Sequence, residues 1–576
     1  MKAKRLRRSL RKSLFYCTSR MPQECCGGKC GRRERDMRDE MLELTRQMVR
    51  IPSVNTTPGE KEIGLFIEKY MREIPYFKEH PDQVIVQELK NDALGRRNVF
   101  ALLRGEKDEN ADTVLFHGHM DTVGVEDYGV LAEYAFDPDE LARKLAAVEL
   151  PDEVRRDLES GEYLFGRGAC DMKSGDAVFM VLMRHIAEHV KEFSGNILLS
   201  INPVEENLHT GIIEGVEILE QIRKQYGLTY VLAINNDYTC PMYPGDPHHY
   251  IYSGVVGKLL PCFYIRGQET HVGQCFEGYD PTTVAANLVS VINLNTEFCD
   301  GYEGEYSLPP VALKMKDLKG WYNVQTAKEA MVYFNYFVHN AGMEEVTEKL
   351  VTAAERAVQR SMESVNENYR RFCALSGKKV QPVLDRWGVM TYRELYEAAK
   401  ENCTGLDSEL DKETDRLLRE NCDKRELPVS LIRLMLAKAN IYHPVVVLYF
   451  AAPYCPHNTL QKDDAEYMEK LEKIVRETER ETGFSYQICK FFPSLSDSSY
   501  LAIDDTEESI ALLRSNFPQM EQLYPLPLEK ICSLGIKAVD FGVYGKDAHK
   551  WTERLYLPYS FEVLPELIIK ALKNFL

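Results

Sequence analysis

The sequence predicts an α/β protein with a mainly parallel central sheet, interrupted by an inserted α+β unit of split βαβ type that carries an extra helical insertion. Three observations carry that expectation. Short apolar runs alternate with segments of helical periodicity through the first 256 residues, the pattern of buried strands joined by crossover helices. Metal-capable side chains stand just past several of those runs, at the strand ends where open α/β sheets place their chemistry. The texture changes at 257 and returns after 456, so one domain inserted into another is the simplest arrangement for a chain of 576 residues, which is too long for a single core.

Residues 37–49 space Met41, Leu42, Leu44 and Met48 at helical intervals, a loop covers 52–60, and a second helix runs to Met71. Strand-like runs follow at 83–89, 98–103 and 113–117. Helices at 175–189 and 211–226 then interleave with strands at 196–202 and 230–235, completing the first part of the main unit, 37–256. The inserted unit, 257–455, opens with a strand over 258–266 and continues with a helix over 281–294, strands near 310–317 and 330–338, and a long helix over 344–372. It closes on a strand over 445–450. A split βαβ unit needs roughly 80 to 100 residues, about half of what is present. The excess, 377–442, is charged and reads as helices at 392–403, 406–421 and 429–440. Residues 456–576, with a helix over 465–481, return to the main unit.

Composition narrows the function classes. Apolar residues at 44% and charged residues at 28% are ordinary for a globular chain. A formal charge of -18, from 89 acidic and 71 basic residues, argues against nucleic-acid binding by the folded body. The first 35 residues depart from this, with twelve Lys or Arg against Glu24 and Glu34, which leaves the remainder near -28. This basic arm, 1–36, reads as a disordered extension, with membrane or RNA contact as the alternative; it lacks an apolar run of signal-peptide length. The longest apolar stretch elsewhere, 445–452, is too short to span a bilayer. Fifteen cysteines, eleven of them scattered singly from Cys170 to Cys532, point to reduced thiols in the cytoplasm. Cys25, Cys26 and Cys30 have only Cys17 and no histidine nearby to complete a zinc site.

Five places carry chemistry. Phe116-His117-Gly118-His119-Met120-Asp121 runs a strand into a glycine turn and sets a carboxylate two residues after an imidazole; such a carboxylate commonly fixes a ligand histidine's tautomer. A lone His-x-Asp serves packing equally well. In Gly168-Ala169-Cys170-Asp171-Met172, Asp171 can bridge two cations or cap the next helix. Adjacent Glu205 and Glu206 follow a strand and point different ways, so one can bind metal while the other takes a proton from water. Asp237 stands at another strand end, and His549 and Glu553 lie four apart near the C-terminus. Each motif is weak alone. Together, two imidazoles, two terminal carboxylates and one shared carboxylate give each of two metals three ligands, with room for a water.

In this order the motifs resemble the co-catalytic zinc exopeptidase and deacylase family that contains peptidase T, aminoacylase and the glutamate carboxypeptidases. Its arginine-utilisation branch is the most similar, through Tyr322-Asn323-Val324-Gln325-Thr326, the stretch 492–500 and the ending 546–565. The resemblance covers 37–576. It implies a zinc-exopeptidase-like catalytic domain built from 37–256 and 456–576, with 257–455 as a lid and dimerisation domain. It also implies two divalent metal ions, zinc foremost, with manganese or cobalt as alternatives. Asp171 would bridge them, Glu206 and His549 completing one site and His119 and Asp237 the other. Glu205 matches the general base and Asp121 the carboxylate behind the ligands; His117 is not counted among them. Gly267-Gln268-Glu269-Thr270-His271 matches the family's Gly-x-x-x-His, whose histidine helps polarise the scissile carbonyl, often from a partner subunit, and Asn323 joins it in substrate binding. One motif departs. The family's Asp-x-Arg, which grips a substrate carboxylate, is replaced by Tyr333-Phe334-Asn335-Tyr336-Phe337, and no arginine occurs between Trp321 and Glu355. The implied reaction is hydrolysis of an amide bond in a small peptide or N-acyl amino acid, by a homodimer or a monomer. The rival reading is a family fold that binds an amino-acid-like ligand or a protein without turnover.

Overall fold

The computed structural model describes residues 30–380, 387–494 and 496–576. Its central sheet has eight strands, in spatial order Val84–Glu88, Arg97–Arg104, Asn196–Asn202, Asp112–His119, Thr229–Asn235, Ala538–Asp540, His248–Tyr252 and Ser485–Cys489. The middle strands, from Asn196–Asn202 to Ala538–Asp540, run parallel. Antiparallel pairs enter on both flanks, so the sheet is mixed at its margins; at one of them a short connection joins Val84–Glu88 to Arg97–Arg104 without a crossover helix. Register positions the chemistry: His119 pairs with Asn202, while His117 pairs with Ser200 and Asn235. The parallel strands therefore end together, and the turns carrying Asp121, Glu205 and Asp237 emerge side by side.

The helix Lys173–Ala187 is buried from Lys173 through Met183; its run from Ala177 to Met183 is apolar on every side, as expected of a helix with no solvent face there. Phe179 on this helix stacks on Phe116 of the sheet at 4.3 Å. The first helix runs Cys30–Val49, reaching back into the basic arm; residues 1–29, including Cys25 and Cys26, lie outside the described residues.

A second sheet is built from the strands between 257 and 450, in the order Val311–Asp317, Glu329–Val338, Pro261–Arg266, Val445–Phe450 and Gly388–Thr391. The strand expected over 258–266 is split. Gly257–Leu259 pairs with the end of Glu329–Val338, and Leu260 separates it from Pro261–Arg266, whose opening proline cannot donate to a ladder. The two faces of this sheet are covered differently. Phe263, Ile265, Val332, Phe334, Val446 and Leu448 pack against the helices Pro281–Ile292 and Met343–Ser376. Cys262, Tyr264, Met331, Val445, Val447 and Tyr449 pack against Leu395, Leu410, Ile432 and Leu436, from the helices Tyr392–Asn402, Leu406–Arg419 and Leu427–Lys438. The extra helices thus cover an apolar face that a bare split βαβ unit would leave to solvent. The insertion is not wholly helical, because Gly388–Thr391 adds a strand parallel to Val445–Phe450.

No helix among the described residues is long and apolar enough to cross a membrane. The eleven cysteines from Cys170 to Cys532 are all free.

Replacing Phe116 by Ala removes one partner of the Phe116–Phe179 stack, and should lower unfolding free energy by about 3–5 kcal/mol. The check is the midpoint of the first transition in denaturant.

Candidate metal centre

His119 closes its strand with its side chain almost fully buried. Its Nε2 lies 3.2 Å from Asp171 Oδ1 and 3.9 Å from Glu205 Oε2. Its Nδ1 faces Asp121, 3.1 Å from the backbone oxygen and 3.7 Å from the carboxylate. The Asp121 carboxylate is occupied elsewhere: it accepts the N–H groups of Glu205 at 3.0 Å and Glu206 at 3.1 Å, and Asn55 Nδ2 at 3.0 Å. Asp121 thereby fixes the turn that presents both glutamates.

On the far side of Asp171, His549 Nε2 is 3.0 Å from Asp171 Oδ2 and 3.0 Å from Glu206 Oε1. Donor atoms of His119, Asp171 and Asp237 lie within 4.8 Å of one another, as do those of Asp171, Glu206 and His549. The residues named from sequence as ligands thus come together in two groups that share Asp171. Close approach makes this possible at Gly175, where a Cβ would lie 2.3 Å from Asn236 O, beside Asp237. His271 and Asn323 do not join the cluster through any hydrogen bond. They lie in adjoining loops beside the second sheet, where His271 bridges to Gln325, and His271 is exposed.

Electrostatics explains why the cluster suits cations. Burial raises the pKa of Glu205 well above the carboxylate range, and burial with the Asp171 charge raises Asp237 to about 8. Burial likewise raises Glu206. Burial also opposes ionisation of Asp171, yet hydrogen bonds and charge from His119 and His549 hold it below the usual range. His549, against the effect of its burial, is pushed up to about 11 by Asp171 and Glu206. His117, buried beside His119, is pushed down to about 3 and is a neutral imidazole. So many carboxylates ionise together only beside added positive charge, and the nitrogen and oxygen donors fit zinc, manganese or cobalt.

Two supports escaped sequence reasoning. Glu553, buried at 1% exposure, accepts the N–H groups of Cys170 at 3.1 Å and Asp171 at 3.4 Å and pairs with Arg167 Nη1 at 2.7 Å. It holds the Asp171 loop. His209, fully buried, sets Nδ1 2.9 Å from Asp497 Oδ1 and 3.9 Å from Glu205 Oε1. Asp497 lies in the stretch 492–500 already singled out, and Glu553 four residues past His549, so both signals were present without a role attached.

This arrangement places the chain in a class. Residues 115–502 match the profile of peptidase family M20/M25/M40, and the chain belongs to that family of metal-dependent hydrolases. It is 37% identical over 529 residues to Protein RocB of Bacillus subtilis, a match that covers 91% of this chain and 93% of that protein and sets it in the RocB branch. Identity to the succinyl-diaminopimelate desuccinylase of Cupriavidus pinatubonensis is 26% over 284 residues, 48% of this chain and 63% of that protein. A solved tripeptidase from Staphylococcus aureus has the same fold, with a TM-score of 0.50 and 14% identity over 93% of this chain and 98% of that one.

Changing Arg167 to Met strands the buried Glu553 carboxylate, and is expected to destabilise the protein by about 3–5 kcal/mol. Thermal or denaturant unfolding of the purified variant measures this directly.

Proposed function

We propose that this protein hydrolyses an amide bond in a small peptide or N-acyl amino acid, using two divalent cations. The supporting observation is the Asp171 carboxylate set between His119 and His549, with Glu205 at its side. One cation would be held by His119, Asp171 and Asp237 and the other by Asp171, Glu206 and His549, with zinc the first choice and manganese or cobalt the alternatives. Bound there, the pair would polarise the scissile carbonyl and acidify the attacking water. Glu205 takes the water's proton and returns it to the leaving amine; its buried position and raised pKa suit a group that must carry that proton between steps. Asp121 orients the Glu205–Glu206 turn rather than touching substrate. His271 and Asn323 are assigned to the substrate carbonyl in a closed or dimeric arrangement.

The substrate class draws support from the names of similar proteins, a tripeptidase and a desuccinylase. A role in amino-acid catabolism, including arginine utilisation, is proposed on the likeness to RocB alone. The division into a catalytic unit, 37–256 with 456–576, and a lid, 257–455, is supported by the two sheets. A homodimer through the lid is supported by the edge strand Val311–Asp317, which exposes Val311, Leu313 and Met315 near exposed Trp321 and Tyr322. Free cysteines favour the cytoplasm.

Glu205→Gln should retain its metal while turnover of dipeptides and N-acyl amino acids falls by about 10²–10⁴-fold; an active variant would remove Glu205 from the mechanism. Elemental mass spectrometry of the purified protein should return close to two zinc per chain, with less in His119→Ala and in His549→Ala. Protein that takes up neither zinc, manganese nor cobalt at neutral pH would overturn the metal assignment.

A further inference from the structure

We propose that Lys258 and Arg425 form a carboxylate-binding subsite beside the metal-ligand cluster, so that the substrate carries a free carboxylate. The chemistry rests on the hydrolase reading above; the geometry stands without it.

A cavity of about 210 Å³ opens beside Glu206 and is lined by Asn207, Lys258, Leu313, Tyr333 and Arg425. It is smaller than the roughly 300–1,000 Å³ of drug-sized pockets, room for one small group. Lys258 is only 7% exposed. Its backbone is fixed on both sides by Cys455, with N–H to O distances of 2.8 and 3.0 Å, yet its ammonium makes no hydrogen bond or ion pair with a described residue. With most of the side chain buried, the ammonium has only the water of the cavity to solvate it, which is unfavourable for a charge, and burial holds the Lys258 pKa below its ordinary value. An anion in the cavity relieves that penalty.

Arg425 is the second cation. Asp423 takes its Nε and Nη2 at 2.9 Å each, which leaves Nη1 without an acceptor among the described residues. The adjacent Glu426 accepts from Lys314 and Lys316 of the strand Val311–Asp317, tying this segment of the insertion to the sheet at the cavity. Tyr333 opens the stretch that lacks the expected arginine. Arg425 therefore brings a guanidinium to that place from another part of the chain. The Glu206 carboxylate in the same lining would repel an anion unaided, and the two cationic side chains offset it.

The bound carboxylate can belong to the amine side of the scissile bond or to the acyl side. Calorimetric titration of the full-length, zinc-loaded protein with L-leucine, succinate and L-leucinol separates these sources, since none contains a bond to cleave. One of the two acids should bind at least about tenfold tighter than L-leucinol, the lower end of what a charge-assisted hydrogen bond contributes. Lys258→Met and Arg425→Ala should each bring that ratio within about twofold, and Lys258→Arg should restore most of it. Arg425 is partly exposed, so its variant decides the matter if Lys258→Met fails to fold. Acids that bind no better than L-leucinol, or variants that keep the full preference, overturn the subsite. Turnover measured in parallel separates the two ideas: preference without turnover of any amide keeps the subsite and sinks the hydrolase reading, whereas turnover without preference sinks the subsite alone.

Discussion

The carboxylates of Asp121, Asp171, Glu205, Glu206 and Asp237 meet beside the ends of buried strands, with the imidazoles of His119, His549 and, next to Glu205, His209 as partners, and the mutual repulsion of that charge constrains the rest of the structure. Burial at low dielectric makes each unpaired carboxylate costly, so the fold supplies a donor wherever one can be placed. Asp121 receives two backbone N–H groups and an amide; Glu553 receives Arg167; Asp497 receives His209. Beneath the site, Asp176 has no hydrogen-bond partner for either oxygen, and burial raises both Asp176 and Asp540 well above the carboxylate range. The carboxylates that remain under-compensated face the space between the imidazoles, where the proposed cations would sit.

The sheet makes this crowding possible. Parallel strands in register bring His119, Asn202 and Asn235 to one edge, so short turns deliver an imidazole or a carboxylate from each. The second sheet has a different task. Its central strands, Pro261–Arg266, Glu329–Val338 and Val445–Phe450, are largely buried on both faces, and the helices of the insertion bury one of those faces. The same insertion carries Asp423, Arg425 and Glu426 to the cavity beside Glu206, so a segment that stabilises an apolar face also alters what the site can recognise.

What was legible in the sequence follows from this division. The residues proposed as ligands, which the structure gathers into one cluster, were readable because each sits in a short motif near the end of an apolar run, and the parallel strands and their crossover helices were readable from periodicity. The residues that hold the ligands were not, because their partners are remote in sequence: Arg167 and Glu553 are 386 residues apart, and His209 and Asp497 are 288 apart. A pair at such separation leaves no periodic trace. Gly388–Thr391 was hidden for another reason, since a four-residue strand beside three amphipathic helices is too short to show alternation. The absent arginine was visible in the sequence. Its replacement was not, because Arg425 reaches the cavity from outside the stretch where the family's motif lies.

His549 differs from the other cluster members in how it is held. Asp171, Glu205, Glu206 and Asp237 lie on or near strand-end turns and are packed by the core, whereas the His549 side chain is 48% exposed and its backbone has a left-handed φ of 63°, as does Asp547 at 59°. Asp and His enter that region more readily than most non-glycine residues, but it remains sparsely populated and is held here by its surroundings. Here the enforcement is ionic. Arg554, almost fully buried, binds both Asp157 and Asp547, and Lys546 pairs with Glu153 and Asp157. Asp547 in turn accepts from Thr552 at 2.9 Å. These contacts fix the loop from beneath while its imidazole stays open to solvent above Asp171 and Glu206. One half of the cluster is thus preformed by packing, and the other is closed by a salt-bridged loop at the mouth of the site, where a substrate would enter.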